Sequence, residues 1–289
     1  MEDKKYELTD DRKATGNVIL HRIKALRSFG NVSAGDLGGY VQSEDNLSHE
    51  GESWIYDDAM VYNDAKVYNN AKVRDNARVY DYARISNYSQ VYGRARVFGW
   101  ADISGNAKVY DSAMVSEYAG MSGDAQVYGN AVVYWRAQVY CRAQVYGNAR
   151  VYGNTHVYGN AKIFGDALVY GMASVSGQAL IYRCAKIHGN SRICDEAKVH
   201  GHIDMYGATE ISGDADVSKL SDYIVFKNHW SSGRSFTWTK SNNMWCVGCF
   251  YGTGEELVEK AYRDSKGSGK GYERIVNYVN SLLEEGELR

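Results

Sequence analysis

Histidine and cysteine are the residue types in this 289-residue chain that could do chemistry, with seven of the first and five of the second. An imidazole titrates near neutral pH and can take a proton from an acceptor hydroxyl or amine, so neighbouring histidines are the natural candidates for a general base. His188, His200 and His202 fall close together near the end of the patterned part of the chain, while His156 stands apart. These three are the candidate catalytic residues, and the competing reading is that they are ordinary surface histidines. Cys246-Val-Gly-Cys249 has the spacing of a redox or zinc half-site. A zinc site needs two further ligands and a thioredoxin-like site a strand-to-helix turn, whereas this pair falls in an expected strand. We therefore expect a structural role and no metal. Gly267-Ser-Gly-Lys-Gly lacks both the four-residue gap between glycines and the Ser or Thr after Lys of a phosphate loop. A flexible loop between helices is the expectation there.

What positions the histidines is a repeat. Proline is absent, while Tyr contributes 25 residues and Gly 30. Stepping by six from Ile55 to Val217 visits 28 positions, each of them Val, Ile or Met, with Met121 and Met205 as the methionines. Four residues after each of the first 27 comes a second small residue, Ala at 22 of them, with Ser89, Thr155, Ser191, Ile203 and Thr209 as the exceptions. In the unit V-Y-G-N-A-K, the segment A-K-V-Y alternates inward and outward as a strand does. The Gly, Asn or Asp that follows can take the positive φ of a tight corner. A six-residue apolar period does not fit 3.6 residues per turn, so the helical alternative fails. One such strand buries an Ala and a Val, which is too little to fold alone, so the hexads must stack.

This pattern resembles the hexapeptide-repeat family, and the resemblance covers more than half of the chain. It implies an all-β parallel, left-handed β-helix with three hexads per coil, here about nine coils over residues 55–217. In that family, acyltransferases use a His as general base with an acyl-coenzyme A donor, and the site depends on loops that interrupt the coils and on a neighbouring subunit. The repeat here runs without interruption, so no loop projects to wall a substrate pocket. No cofactor is expected outside the acyltransferase alternative, in which His188, His200 or His202 would be the base.

With 18 residues per coil, the outward residue after each aliphatic sorts into three columns. The first contains Tyr92, Tyr110, Tyr128, Tyr146 and Phe164, and the second contains Tyr134, Tyr152 and Tyr170. The third is largely small and polar, with Ser86, Ser104, Ser122 and Ser176. Lys72, Lys108 and Lys162 run beside the first column, and Arg78, Arg96 and Arg150 beside the second. Aromatic cross-strand pairing accounts for such columns structurally, at about 0.2–1 kcal/mol a pair. Their extent also suits a protein contact surface, where Tyr and Arg are enriched, and many left-handed β-helices trimerise along such a face. A platform for single-stranded nucleic acid is the weaker reading, because 33 basic residues nearly balance 35 acidic ones.

An open stack exposes unpaired strand edges, so caps are expected at both ends. Residues 1–54 form the N-terminal one, with a helix predicted over residues 18–28. The stretch GGYVQSEDNLSHEGESWIYDDA resembles the start of YdcK-type hexapeptide-repeat proteins of enteric bacteria, which carry a Trp where this chain has Tyr40. Residues 218–289 read as a small α+β domain. DYIVFKN, SFTWTK and NMWCVGCFYG give three strands, Thr253-Gly-Glu-Glu256 is a capping box opening a helix over residues 255–264, and SKGSGKG leads to a second helix over residues 272–285. With Gly248-Cys249-Phe250 and Gly252-Thr253, this tail resembles that of hexapeptide-repeat proteins from phages and gut bacteria. The resemblance raises a phage or mobile-element protein that binds a host protein. The first residues lack the apolar core of a signal peptide and no run of about 18 apolar residues exists, so a cytoplasmic protein with reduced thiols is expected. The functional expectation is a non-enzymatic binding or assembly scaffold, oligomeric through a Tyr-lined face, with a trimer of the chain favoured, a protein partner possible and no membrane.

Overall fold

The computed structural model describes residues 4–288 and is a parallel β-solenoid with an antiparallel sheet and two helices at its C-terminal end. Each hexad contributes a two-residue strand, from Trp54–Ile55 to Asp216–Val217. Successive coils pair in parallel at an 18-residue step, as in Gln126↔Gln144 and Val127↔Val145. Three parallel sheets result, one per face. The aliphatic and Ala positions all point inward and fuse into one core that runs the length of the coil. The polar exceptions in the Ala column are tied down locally. Ser89, Thr155, Ser191 and Thr209 each donate a side-chain hydroxyl to the carbonyl three residues earlier, at 2.6–2.8 Å.

Every corner at six-residue spacing from Asp57 to Gly213 has positive φ. Glycine or Asn and Asp fill nearly all of them, because these types reach the left-handed region at low cost. Where Asp occupies a corner its carboxylate also accepts the backbone N–H one coil later. Asp57 serves Asp75 at 3.0 Å, Asp75 serves Gly93 at 2.8 Å and Asp195 serves Gly213 at 3.0 Å.

The coil reaches back beyond Ile55. Strand Leu37–Val41 pairs in parallel with Met60–Val61, and Leu47 bridges Val67 in parallel. Val41 and Leu47 therefore continue the buried column and make the solenoid about ten turns, against the nine expected. Two extra residues, around Gly51, separate Leu47 from Ile55 and hid this rung from a strict six-residue count.

The helix predicted over residues 18–28 is instead strand Val18–Ala25, paired antiparallel with Tyr6–Thr15. Thr15 faces Val18 across Gly16-Asn17, and Gly16 has φ +56°, the left-handed conformation a two-residue hairpin turn requires. The β-branched Val18 and Ile19 favour the strand, and the Gly-Asn pair was the signal for it. Val18–Ala25 also pairs with Leu37–Val41, so the hairpin extends the second face and covers its open edge.

Under this cap Lys5 has no exposed surface. Its ammonium donates to the Ser53 carbonyl at 2.8 Å and to Ser53 Oγ at 3.1 Å, and lies 5.1 Å from the Phe29 ring centre. Burial, and then the Arg27 guanidinium, lower its pKa to about 8. An unfolded lysine keeps its proton to about pH 10.4, so between about pH 8 and 10 the unfolded chain binds more protons than the folded one. Stability should rise with pH across that window. Denaturant midpoints taken at either end of it check this, and Lys5→Met is expected to flatten the rise. An equal rise in the variant would assign it to another group.

At the far end a four-stranded antiparallel meander, Tyr223–Lys227, Ser235–Thr239, Met244–Val247 and Phe250–Gly252, packs on the last coil. One strand more forms than expected, because NMWCVGCFYG folds back at Gly248, which has φ +63°. Backbone N–H groups of the coil edge find partners in the meander. Glu210 donates to Thr237 Oγ1 at 3.2 Å and Asp216 to Ser241 Oγ at 2.7 Å. Helix α1, Gly254–Asp264, opens with the expected capping box. Glu256 N donates to Thr253 Oγ1 at 3.3 Å and Thr253 N to Glu256 Oε2 at 2.9 Å.

Helix α2 spans Lys266–Glu284, so the SKGSGKG stretch expected as a loop is its first two turns. Ser265 caps it by accepting from Ser268 N at 3.0 Å. Its glycines serve close packing: a Cβ on Gly269 would lie 2.3 Å from the Tyr262 ring, and one on Gly271 would lie 2.6 Å from Trp230. Among the described residues no helix is long and apolar enough to cross a membrane.

Candidate functional site

Because coils stack in register, residues 18 apart meet ring on ring. In the first column Tyr92, Tyr110, Tyr128, Tyr146, Phe164 and Tyr182 stack at 4.8–5.1 Å with planes within 4°. His200 extends this stack at 4.7 Å, and Arg74, one coil before Tyr92, lies 4.5 Å over its ring and continues the stack as a cation–π contact. The second column is broken. Tyr62, Tyr80 and Phe98 form one stack, Ser116 interrupts it, and Tyr134, Tyr152, Tyr170 and His188 form another. The third column has one pair, Tyr140 on Tyr158 at 5.1 Å.

Several phenols in the stacks are shifted. Burial first, and then the neighbouring Tyr128, Tyr92 and Asp111, push the Tyr110 phenol up to about 12. Burial also raises Tyr92, Tyr128, Tyr134, Tyr146 and Tyr170. Each would resist ionisation, since a tyrosinate here is partly desolvated and in most cases lies next to another phenol.

Of the three candidate catalytic histidines, the fold brings two to one place. His188 and His202 line a recess of about 960 Å³ with Asp204, Tyr206 and Lys219. His200 lies on the neighbouring face and does not line it. His188 Nε2 is 2.8 Å from Asp204 Oδ1, and the ring is sandwiched between Tyr170 at 4.6 Å and Tyr206 at 5.8 Å. His200 repeats the arrangement, with Nε2 2.9 Å from Asp216 Oδ1. Each aspartate lies 16 residues beyond its histidine, a diagonal step to the next coil. Tyr110 to Gln126, at 3.1 Å, and Arg74 to Gln90, at 3.2 Å, use the same diagonal. A His–Asp contact is thus what this lattice produces whenever those types occupy those positions, and carries less weight as a catalytic sign than it would in an irregular fold. The 16-residue offset is also the sequence signal by which Asp204 and Asp216 could have been found.

The cysteines give no reactive pair. Cys246 is buried in strand Met244–Val247 beside Ser212 Oγ at 2.8 Å, whereas Cys249 is exposed in the turn that follows, so the expectation that both lie in one strand is corrected. Burial raises the Cys246 thiol to about 11 and, at the coil surface, Cys194 to about 12. Both are held as thiols, the unreactive form. Among the described residues no cluster of three metal-ligating side chains exists.

Sequence reasoning missed a row of exposed aromatics on the corner between the second and third faces. Tyr82 stacks on Trp100 at 4.2 Å and Trp100 lies 6.4 Å from Tyr118; one coil on the row reaches Arg136, and Trp135 stands at the corner position just before it. Sorting the corner positions by 18, as was done for the strands, would have revealed it.

The repeat geometry has a counterpart among known families. Residues 143–159 match the family model described as YdcK Beta solenoid repeat. That stretch of the coil is similar to a YdcK-type repeat. The similarity to YdcK extends to a curated protein, the "Uncharacterized acetyltransferase YdcK" of Escherichia coli (strain K12), which is 37% identical over 62 residues. That match covers 19% of this chain and 19% of the relative, so this chain matches about one fifth of the YdcK protein's length.

Proposed function

We propose that this chain is a non-enzymatic scaffold that assembles with copies of itself through the first aromatic ladder. The observation that carries this reading is the unbroken stack from Arg74 to His200. It presents a flat, half-buried aromatic surface whose flanking strand positions from Lys72 to Leu180 hold no carboxylate. A preformed row of rings loses little side-chain freedom on contact, which favours its use in an interface. The resemblance to hexapeptide-repeat proteins makes a trimer the expected assembly. Light scattering on the full chain should give a defined oligomer, and replacing Tyr128, Tyr146 and Phe164 by Ser should return it to a monomer while the circular dichroism of the coil persists. An unchanged mass would refute assembly through this face.

A second reading is an acyltransferase, favoured by the His188–Asp204 contact inside a recess and by the name of the YdcK relative. In it Asp204 would orient the imidazole and His188 would accept the proton of the acceptor group. The sandwich of Tyr170 and Tyr206 covers both ring faces and leaves its edge for that transfer. Acetyl transfer from acetyl-coenzyme A that His188→Ala abolishes would establish this reading; no turnover across amine and hydroxyl acceptors would leave the scaffold.

A further inference from the structure

Trp135 occupies a corner where the repeat gives no reason for it. Its φ is +60°, a conformation that costs an L side chain about 1–2 kcal/mol. The same corner is glycine in the next two coils, at Gly153 and Gly171. The indole is 53% exposed, so burial does not offset the strain. It meets Tyr134 and Tyr152 edge-on, both at 6.2 Å with planes at 73° and 90°, and no ring lies flat upon it. Strained residues of this kind concentrate at ligand sites, where the strain holds a side chain in a working position.

The surroundings of Trp135 form a notch of about 550 Å³, within the range of about 300–1,000 Å³ seen for small-ligand sites. The side-chain-free corners Gly153 and Gly171 open the space beside the indole, and Tyr118, 58% exposed, bounds the notch one coil before. Glu117, Arg136 and Asn154 supply a carboxylate, a guanidinium and an amide at its rim, and Arg136 and Asn154 form no side-chain hydrogen bond or ion pair among the described residues. Opposite charges on neighbouring positions favour neither an anion nor a cation. Flat aromatic surface ringed by mixed donors and acceptors matches a molecule whose ring faces carry C–H groups and whose edges carry hydroxyls.

We propose that this notch binds a neutral saccharide, stacked on Trp135 and held at its hydroxyls by Glu117, Arg136 and Asn154. The row Tyr82, Trp100 and Tyr118 continues along the same corner, so a chain of several sugars has further aromatic surface to follow. The site lies on a different edge from the first ladder and does not depend on assembly through it.

The test is titration of the full-length protein with neutral hexasaccharides (cellohexaose, maltohexaose, xylohexaose and chitohexaose), followed by calorimetry and tryptophan fluorescence. At least one is expected to bind, and Trp135→Gly should weaken it by about tenfold or more. Glycine takes φ +60° freely, so the variant should melt no lower than the parent, and its solution mass should be unchanged. A failure of ladder assembly would appear in the mass alone, and a failure of this site in the titration alone. Absence of binding by all four sugars, or equal binding by the Trp135→Gly protein, overturns the proposal. So does preferential binding of an oligothymidylate or an oligopeptide that the substitution removes.

Discussion

Val145→Asp is expected to destroy the cooperative unfolding of the solenoid, while Gln144→Asp one residue earlier leaves it nearly unchanged. Val145 has no exposed surface, lies mid-coil, and is flanked by Val127 below and Ile163 above. A carboxylate there has no partner among Val, Ile and Ala, and an uncompensated buried charge costs about 3–5 kcal/mol. The cost is not confined to one rung. A solenoid is stabilised by contacts between neighbouring coils, so breaking one interface divides the stack into two shorter stacks, each less stable than the whole. Thermal unfolding followed by far-ultraviolet circular dichroism should therefore show either a large drop in midpoint or two separated transitions. Gln144 points outward, where a substitution is worth about 0.5 kcal/mol or less. Equal melting of the two variants would mean that the inward and outward columns have been exchanged.

Raising the pH above 10 is expected to unfold the protein well before its backbone would be attacked, because the ladders must lose protons they are built to keep. The Tyr110 phenol sits at about 12, and its neighbours in the stack are raised as well. Tyrosines of an unfolded chain ionise near pH 10. Above that pH the folded chain binds more protons than the unfolded one, so stability present below pH 10 is lost progressively as the pH climbs toward the folded value. Tyrosinate absorbance and circular dichroism, recorded on the same samples, should show the later part of the phenol titration coinciding with loss of strand signal. Replacing Tyr110 and Tyr128 by Phe keeps the stacking and removes two of the perturbed phenols, so the variant should survive to higher pH. Ladder phenols that ionise near 10 with the fold intact would contradict the burial seen here.

These two effects lie on opposite sides of the same sheet, and the residues behind both were legible in the sequence. From Ile55 to Val217 the inward column was legible, because a strict six-residue period of Val, Ile and Ala fits stacked strands and not a helix, and the ladders followed from the eighteen-residue coil that the hexapeptide-repeat resemblance implies. The capping box at Thr253 was legible too, since it is local chemistry between residues three apart. The N-terminal hairpin was misread as a helix although Gly16-Asn17 marked the turn. The first two turns of helix α2 were misread as a loop because Gly269 and Gly271 look like linker residues until the Tyr262 and Trp230 rings they accommodate are known.

By itself the sequence determined the hexad strands and the inward and outward assignment of their residues from 55 to 217, and the two principal ladders followed once the three-hexad coil implied by the hexapeptide-repeat resemblance was applied. Tertiary structure decided what depends on contacts across irregular spacing. The two residues inserted between Leu47 and Ile55 concealed a tenth turn, and the meander's hydroxyls at Thr237 and Ser241 close the coil edge. The recess gathers His188 and His202 while leaving His200 on another face. The notch at Trp135 exists because one corner carries an indole where the next two carry no side chain at all, a contrast that has meaning only once the corners are stacked.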